Sequence, residues 1–294
     1  MTYEALWKRL TPLFEAGEAK AIVRWLLDVR FGLSMTDILC GKVEELSEPD
    51  MVELGAMMAR LAEGEPVQYV AGKADFCGRQ FRVAPGVLIP RPETAELCRW
   101  ISDCIRGQAF DSAAPLVEKR CGILDIGTGS GCIAVTLALE IPGSSVTAWD
   151  ISDDALRIAS ENAGQLGTSV AFEKKDVLNI SPTALRLTPS AKYDLIVSNP
   201  PYICHNEARA MERNVLEHEP RQALFVPDDD PLLFYRAIAR LAIEILKPEG
   251  SLFFELNPLY AADTERMVRN MGLRDTELRH DQFGKQRFLK AMKI

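Results

Sequence analysis

Short apolar runs alternate with longer amphipathic stretches from about residue 120 onward, and this alternation restricts the fold of the chain more than any other feature. The runs Ile123–Ile126, Val146–Trp149, Val170–Phe172, Leu195–Val197 and Leu252–Phe254 are separated by segments of helical spacing near 131–140, 154–165, 231–246 and 260–271. Short apolar runs bounded by turn residues are strands covered on both faces, and strands joined through helices lie parallel. The spacing therefore predicts an α/β domain built on a doubly wound, mainly parallel sheet. In such sheets ligands bind beyond the carboxyl ends of the strands, so functional residues are expected directly after each run. Two last runs, Thr276–Arg279 and Arg287–Met292, flank the turn-like Phe283-Gly284-Lys285 and predict a closing antiparallel pair.

The residues before the sheet follow another rhythm. Leu6, Leu10 and Leu13, then Ile22, Val23, Leu26 and Leu27, then Met51, Leu54, Met57, Met58 and Leu61 recur at helical spacing, interrupted by Gly17, Gly32, Gly41 and Ser47-Glu48-Pro49. We read residues 1–64 as a bundle of roughly four short helices, with the leucines, methionines and Trp25 packed between them. Residues 65–90 intersperse Val67, Tyr69, Phe76, Phe81, Val83, Val87 and Ile89 with Gly72, Gly78, Pro85, Gly86 and Pro90, the composition of a hairpin linker. Arg91-Pro92-Glu93 then opens an amphipathic helix and a domain spanning 91–294, with proline at a position where its missing N–H costs nothing.

Composition removes several function classes. With 294 residues, 47% of them hydrophobic, the chain can bury a sizeable core. Lys and Arg sum to 34 against 42 for Asp and Glu; the net charge of -8 argues against binding through many phosphate contacts, and no direct nucleic-acid binding is expected. The seven cysteines form no CxxC pair and the three histidines lie far from most of them, which indicates neither a metal site nor a disulfide framework and implies a reducing compartment, the cytoplasm. The opening residues MTYEALWKRL lack the apolar core of a secretory signal, and no stretch approaches the roughly 18 to 20 apolar residues of a membrane span, so no membrane association is expected.

Chemistry enters after the first strand, in Asp125-Ile126-Gly127-Thr128-Gly129-Ser130-Gly131-Cys132. Glycines at alternate positions let the backbone turn sharply and approach a ligand, and the helix starting near Gly131 offers free N–H groups. The spacing is GxGxG where a dinucleotide fingerprint has GxGxxG, which removes the main support for a nicotinamide cofactor. Asp125 at the loop entrance would repel a pyrophosphate but attract the sulfonium and ammonium of S-adenosylmethionine. Asp150, ending the second strand, is placed to accept from ribose hydroxyls, and Asp176, after the third, from an adenine amino group. Singly, each aspartate is an ordinary cap or loop residue; three at successive strand ends, beside the glycine loop, indicate a nucleoside cofactor.

Asn199-Pro200-Pro201-Tyr202 follows the fourth strand, Asp194–Ser198, and so lands at the same crevice. Two prolines stiffen the backbone and remove two donors, leaving an acceptor-rich turn. A planar NH2 group can give one N–H to the Asn199 side-chain carbonyl and the other to the Pro200 backbone carbonyl, with Tyr202 expected against its flat face. Cys204, His205 and His218 follow, but methyl transfer to such a nitrogen requires neither a metal nor a protein nucleophile; Arg209, Arg213 and Arg221 are partner contacts or solvated side chains.

Leu124–Val135 and Asp150 resemble the cofactor motifs of class I S-adenosylmethionine-dependent methyltransferases, and Asn199–Tyr202 resembles their motif for planar nitrogen acceptors. Gly64-Glu65-Pro66-Val67-Gln68-Tyr69 and Val87-Leu88-Ile89-Pro90-Arg91-Pro92-Glu93-Thr94, with Asp281–Arg287 near the end, are similar to the HemK/PrmC family, over nearly the whole chain. That resemblance implies a Rossmann-like, seven-stranded catalytic domain with an N-terminal helical domain that helps dock the partner. It implies methylation of the amide nitrogen (N5) of the glutamine in the Gly-Gly-Gln motif of class 1 peptide chain release factors, with S-adenosylhomocysteine as product and the enzyme acting as a monomer. It also implies cofactor contacts from Phe76, Arg91, Asp125, Gly127, Thr128, Gly129, Gly131, Asp150, Ile151, Asp176, Val177 and Asn199, substrate contacts from Asn199, Pro200, Pro201 and Tyr202, and catalytic roles for Asn199, Pro200 and Tyr202. Glu255-Leu256-Asn257-Pro258 departs from the family, standing where many relatives have Glu-Ile-Gly or Glu-His-Gly. Two rivals remain: a methyltransferase for an exocyclic base amine in DNA or RNA, and a non-catalytic S-adenosylmethionine-binding protein.

Overall fold

The computed structural model describes residues 1–111, 121–180 and 193–294. These divide into two compact units, one made of Met1–Ala74, Val83–Pro85 and Met211–Glu219 and the other of Asp75–Arg82, Gly86–Ala210 and Pro220–Ile294.

In the first unit the helices Tyr3–Lys8, Ala16–Phe31, Met35–Leu39 and Glu48–Ala62 start where the sequence supplies caps. Thr2, Ser34 and Ser47 each accept a backbone N–H of the first turn through their side chains, and Ser34 with Asp37 closes a reciprocal capping box. Their apolar faces meet in a core of Leu6, Leu10, Val23, Leu26, Leu27, Leu54, Met58 and Leu61. A further helix, Val67–Ala71, occupies the front of the stretch read from sequence as a hairpin linker, and Gly72 in the left-handed region ends it. The hairpin itself is shorter, β1 (Lys73–Phe76) and β2 (Arg79–Arg82) joined at Cys77-Gly78, where φ is 49° and 72°. Positive φ at both turn residues matches the right-handed twist of the strands.

The second unit carries a seven-stranded sheet from β3 (Gly122–Ile126), β4 (Ser145–Asp150), β5 (Val170–Lys174), β6 (Tyr193–Ser198), β9 (Leu246–Glu255), β10 (Arg274–His280) and β11 (Gln286–Met292); β7 (Ile203–Cys204) and β8 (Phe225–Val226) form a separate two-stranded pair. The order is β10-β11-β9-β6-β3-β4-β5, parallel from β9 to β5 and closed by antiparallel β11 and β10. Successive strand residues point to opposite faces, so Ile123 joins a core with the helices Pro92–Asp111 and Cys132–Glu140, and Leu124 one with the helices Leu233–Ile245 and Ala261–Asn270. The chain leaves β3 toward β4 on one side and returns through β6 on the other, which makes the carboxyl end of β3 the switch point where a crevice opens. No helix among the described residues is long and apolar enough to cross a membrane.

Candidate active site

A cavity of about 260 Å³ lies at this switch point, entirely within the second unit. Its floor is the loop after β3. Gly127, Gly129 and Gly131 all have positive φ, at 74°, 56° and 79°. Gly127, Thr128 and Gly129 line the cavity, and Gly129 N–H donates to Asp150 Oδ2 at 2.9 Å while Ser152 N–H donates to Oδ1 at 2.9 Å. These two bonds fix the Asp150 carboxylate at the end of β4 and leave each oxygen a further lone pair for a ligand hydroxyl. Ile151, Lys175, Asp176, Val177 and Leu178 continue the wall, and Phe234 and Ile238, one turn apart on the helix Leu233–Ile245, close it opposite.

Asn199, Pro200 and Pro201 enter the same wall from the end of β6, with Arg91 and Thr94 beside them. Asn199 Nδ2 donates to Thr94 Oγ1 at 3.2 Å, Thr94 Oγ1 donates to Glu255 Oε2 at 2.6 Å, and the Tyr202 hydroxyl donates to Glu255 Oε1 at 3.2 Å. Glu255 is buried, and that burial raises its carboxyl above the usual range, while Thr94, Arg287 and Tyr202 oppose the rise. Burial likewise pushes the Tyr202 phenol upward, so it remains a hydrogen-bond donor at neutral pH.

Comparison with known sequences gives this geometry a family. Residues 6–72 match the PrmC N-terminal domain and residues 112–224 the methyltransferase small domain. A release factor glutamine methyltransferase of Bacteroides thetaiotaomicron is 45% identical over 282 residues, covering 96% of this chain and 95% of the relative. The chain belongs to the release factor glutamine methyltransferase family. The relative of that name in Bacillus subtilis is 35% identical over 291 residues, covering 99% of this chain and 97% of its own. Among solved structures, the METTL16 MTase domain superposes with a TM-score of 0.50 at 18% identity, covering 84% of this chain and 80% of that one, a likeness of fold alone.

In this family member, four residues assigned to ligand from the sequence lie off the cavity wall. Phe76 is 3% exposed and packs edge-on against Phe81, with ring centroids 5.8 Å apart, inside the core around Leu97, Cys98 and Ile133. Asp125 is 0% exposed; its Oδ2 accepts from the Thr128 hydroxyl at 2.6 Å and from Ala134 N–H at 3.2 Å, so it braces the loop from behind. Burial drives its carboxyl up to about 7, against the opposing pull of those two bonds. Gly131 serves packing: a Cβ there would stand 2.9 Å from the Ala159 Cβ. Tyr202 turns its hydroxyl to Glu255 and does not face the cavity as expected.

Other wall residues carried no readable signal. Phe234 and Ile238 sit on an amphipathic helix whose apolar face is indistinguishable in sequence from core, and Gln222 and Ala223 lie in a turn of four helical residues. Val87, Leu88, Ile89 and Thr94 belong to the stretch resembling the family, but nothing in their own chemistry marked them as wall. The divergent Glu255–Pro258 segment lies behind the site: Asn257 Nδ2 donates to the Tyr202 carbonyl at 3.0 Å and to Glu207 Oε1 at 2.9 Å, while its Oδ1 accepts Leu259 N–H at 3.0 Å. An asparagine thus anchors the Asn-Pro-Pro-Tyr turn from behind. Cys204 and His205 are engaged elsewhere, Cys204 Sγ donating to the Tyr260 hydroxyl at 3.5 Å and His205 stacked on Phe225 at 5.1 Å.

Proposed function

We propose that this chain transfers a methyl group from S-adenosylmethionine to the side-chain amide nitrogen (N5) of the glutamine in the Gly-Gly-Gln motif of class 1 peptide chain release factors, leaving S-adenosylhomocysteine. The observation that carries the reading is the Asn199-Pro200 pair of acceptors on the wall of the cavity that also holds the glycine loop and Asp150. Relatives named release factor glutamine methyltransferase over nearly the full chain support the acceptor.

The residues present fit the cofactor. Gly127 and Gly129 let a ligand approach the backbone without a Cβ in its way, Asp150 is fixed as an acceptor for ribose hydroxyls, and Ile151, Val177 and Leu178 offer apolar surface to a flat base. S-adenosylmethionine supplies an electrophilic methyl carbon on a positively charged sulfur. An amide nitrogen is a poor nucleophile because its lone pair is delocalised into the carbonyl. Asn199 Oδ1 and the Pro200 carbonyl, accepting its two N–H bonds, raise the electron density on that nitrogen and hold it in line with the methyl. One of the two protons becomes acidic as the N–C bond forms and leaves afterwards, so no base has to act first. Positioning of this kind supplies at best roughly 7–11 kcal/mol of barrier reduction, reinforced by preorganised dipoles.

The same reading makes the helical bundle, 1–64 in the sequence-based division, the element that docks the release factor, with the enzyme working as a monomer in the cytoplasm and without direct nucleic-acid binding. Incubation with labelled cofactor and a purified release factor, followed by peptide mapping, tests it. Label on the motif glutamine, lost in Asn199→Ala with cofactor affinity retained, is expected. Label appearing in DNA or RNA and absent from the release factor would overturn the reading.

A further inference from the structure

The acceptor amide stands at the end of a hydrogen-bond chain whose direction is set from its buried end. Glu255, the last residue of β9, is 1% exposed, and each of its oxygens meets one hydroxyl, Thr94 on Oε2 and Tyr202 on Oε1. In its ionised form, which Thr94, Arg287 and Tyr202 favour against the burial, Glu255 only accepts, so each hydroxyl commits its single proton to it. Thr94, itself 2% exposed, is left with lone pairs alone for its other neighbour, the Asn199 side chain 3.2 Å away, and that neighbour must offer an N–H. The two ends of an asparagine amide are otherwise interchangeable in shape. Here the chain breaks the symmetry: Nδ2 is held on Thr94, and Oδ1, the other branch of the planar fork, remains the acceptor for a ligand.

Taking Asn199 as the residue that binds the acceptor amide, we infer that Thr94 and Glu255 are positioning residues that lock its side chain with the carbonyl toward the substrate. The opposite orientation would set an NH2 against the NH2 of the incoming glutamine, donor against donor. The lock therefore also selects what enters, favouring an uncharged group with two N–H bonds to give and disfavouring a carboxylate such as glutamate, which has none. Sequence spacing gives no hint of this arrangement, because Thr94 opens the first helix of the domain and Glu255 ends a strand 161 residues later.

Thr94→Val keeps the shape and removes the hydroxyl, and Thr94→Ser keeps the hydroxyl. With the full chain, S-adenosylmethionine and a purified release factor, Thr94→Val is expected to lower kcat on the order of ten-fold while the cofactor Kd from calorimetry stays within about two-fold. Thr94→Ser is expected to recover most of the turnover. Wild-type kcat in Thr94→Val, a Thr94→Ser as slow as the valine variant, or a loss confined to cofactor affinity would each overturn the inference. Should Thr94→Val fail to fold, Glu255→Leu takes its place: it removes the acceptor that holds the Thr94 proton, freeing that hydroxyl to donate to Asn199, so kcat is expected to fall, and a folded Glu255→Leu with unaltered kcat overturns the lock. Wild type and Asn199→Ala in the same assay separate the two levels. An active wild type, an inactive Asn199→Ala and an unaffected Thr94→Val sink only the lock, whereas a wild type silent on the release factor sinks the reading beneath it.

Discussion

Asp125→Asn isolates the electrostatic cost of the carboxyl behind the glycine loop. Asp125 is 0% exposed and its Oδ1 has no hydrogen-bond partner, while Oδ2 takes the Thr128 hydroxyl and Ala134 N–H. Desolvation lifts its carboxyl from 3.8 to about 7, with a smaller push from Asp150. Because the folded state holds this proton more tightly than the unfolded chain, the favourable contribution is complete below pH 3.8 and is lost as pH rises toward 7. At about 1.4 kcal/mol per decade of proton affinity, the whole change is on the order of 4 kcal/mol, of which roughly 2–3 kcal/mol falls between pH 5 and pH 8. Asparagine keeps an oxygen for Thr128 and Ala134 and does not titrate. Urea unfolding of both proteins without cofactor at pH 5 and pH 8 should therefore show the stability difference moving in favour of Asp125→Asn by that amount at the higher pH, other titrating groups cancelling between the two proteins. An identical difference at both pH values would refute the argument, since it would mean that Asp125 titrates as it does in the unfolded chain.

Gly131→Ala should destabilise the fold by about 2–5 kcal/mol, combining a left-handed residue with a Cβ forced onto Ala159; a variant matching wild type in urea unfolding would contradict the close approach. Asp150→Ala should weaken cofactor binding at least roughly ten-fold in calorimetry, by removing the hydroxyl acceptor and releasing the N–H groups of Gly129 and Ser152; wild-type affinity would rule out the ribose contact. Phe76→Leu should cost roughly 1–2 kcal/mol of stability and leave cofactor Kd unchanged, and weakened binding without loss of stability would return Phe76 to the cavity.

The sheet was legible because strands buried on both faces write themselves as unbroken apolar runs, and Ile123–Ile126, Val146–Trp149 and Leu195–Val197 all fall within strands of the order described. The helix Val67–Ala71 was not, since five residues following a proline are too few to show a 3.6-residue period and Val67, Tyr69 and Val70 are strand formers. For the site, strand ends told where many of the cavity-lining residues lie along the chain but not which way each side chain turns. Ile126 lines the cavity and Asp125, one residue earlier, points into the protein, a difference set by strand alternation and by the helix that supplies Ala134 N–H. The pairing of Thr94 with Glu255 was out of reach altogether, because it depends on how the helix Pro92–Asp111 is laid against β9.

Asn162 lies fully buried among backbone groups: its Oδ1 accepts Arg82 N–H at 2.7 Å, and its Nδ2 donates to the Arg82 carbonyl at 3.0 Å and to the Ser130 carbonyl at 2.8 Å. To β2 this side chain presents what a neighbouring strand would, one donor and one acceptor in register, and so blunts the hairpin's open edge against pairing with another chain. Its second N–H ties the same amide to the glycine loop after β3. One amide thus fastens both the edge of the hairpin and the glycine loop after β3, so loosening it at one end loosens it at the other.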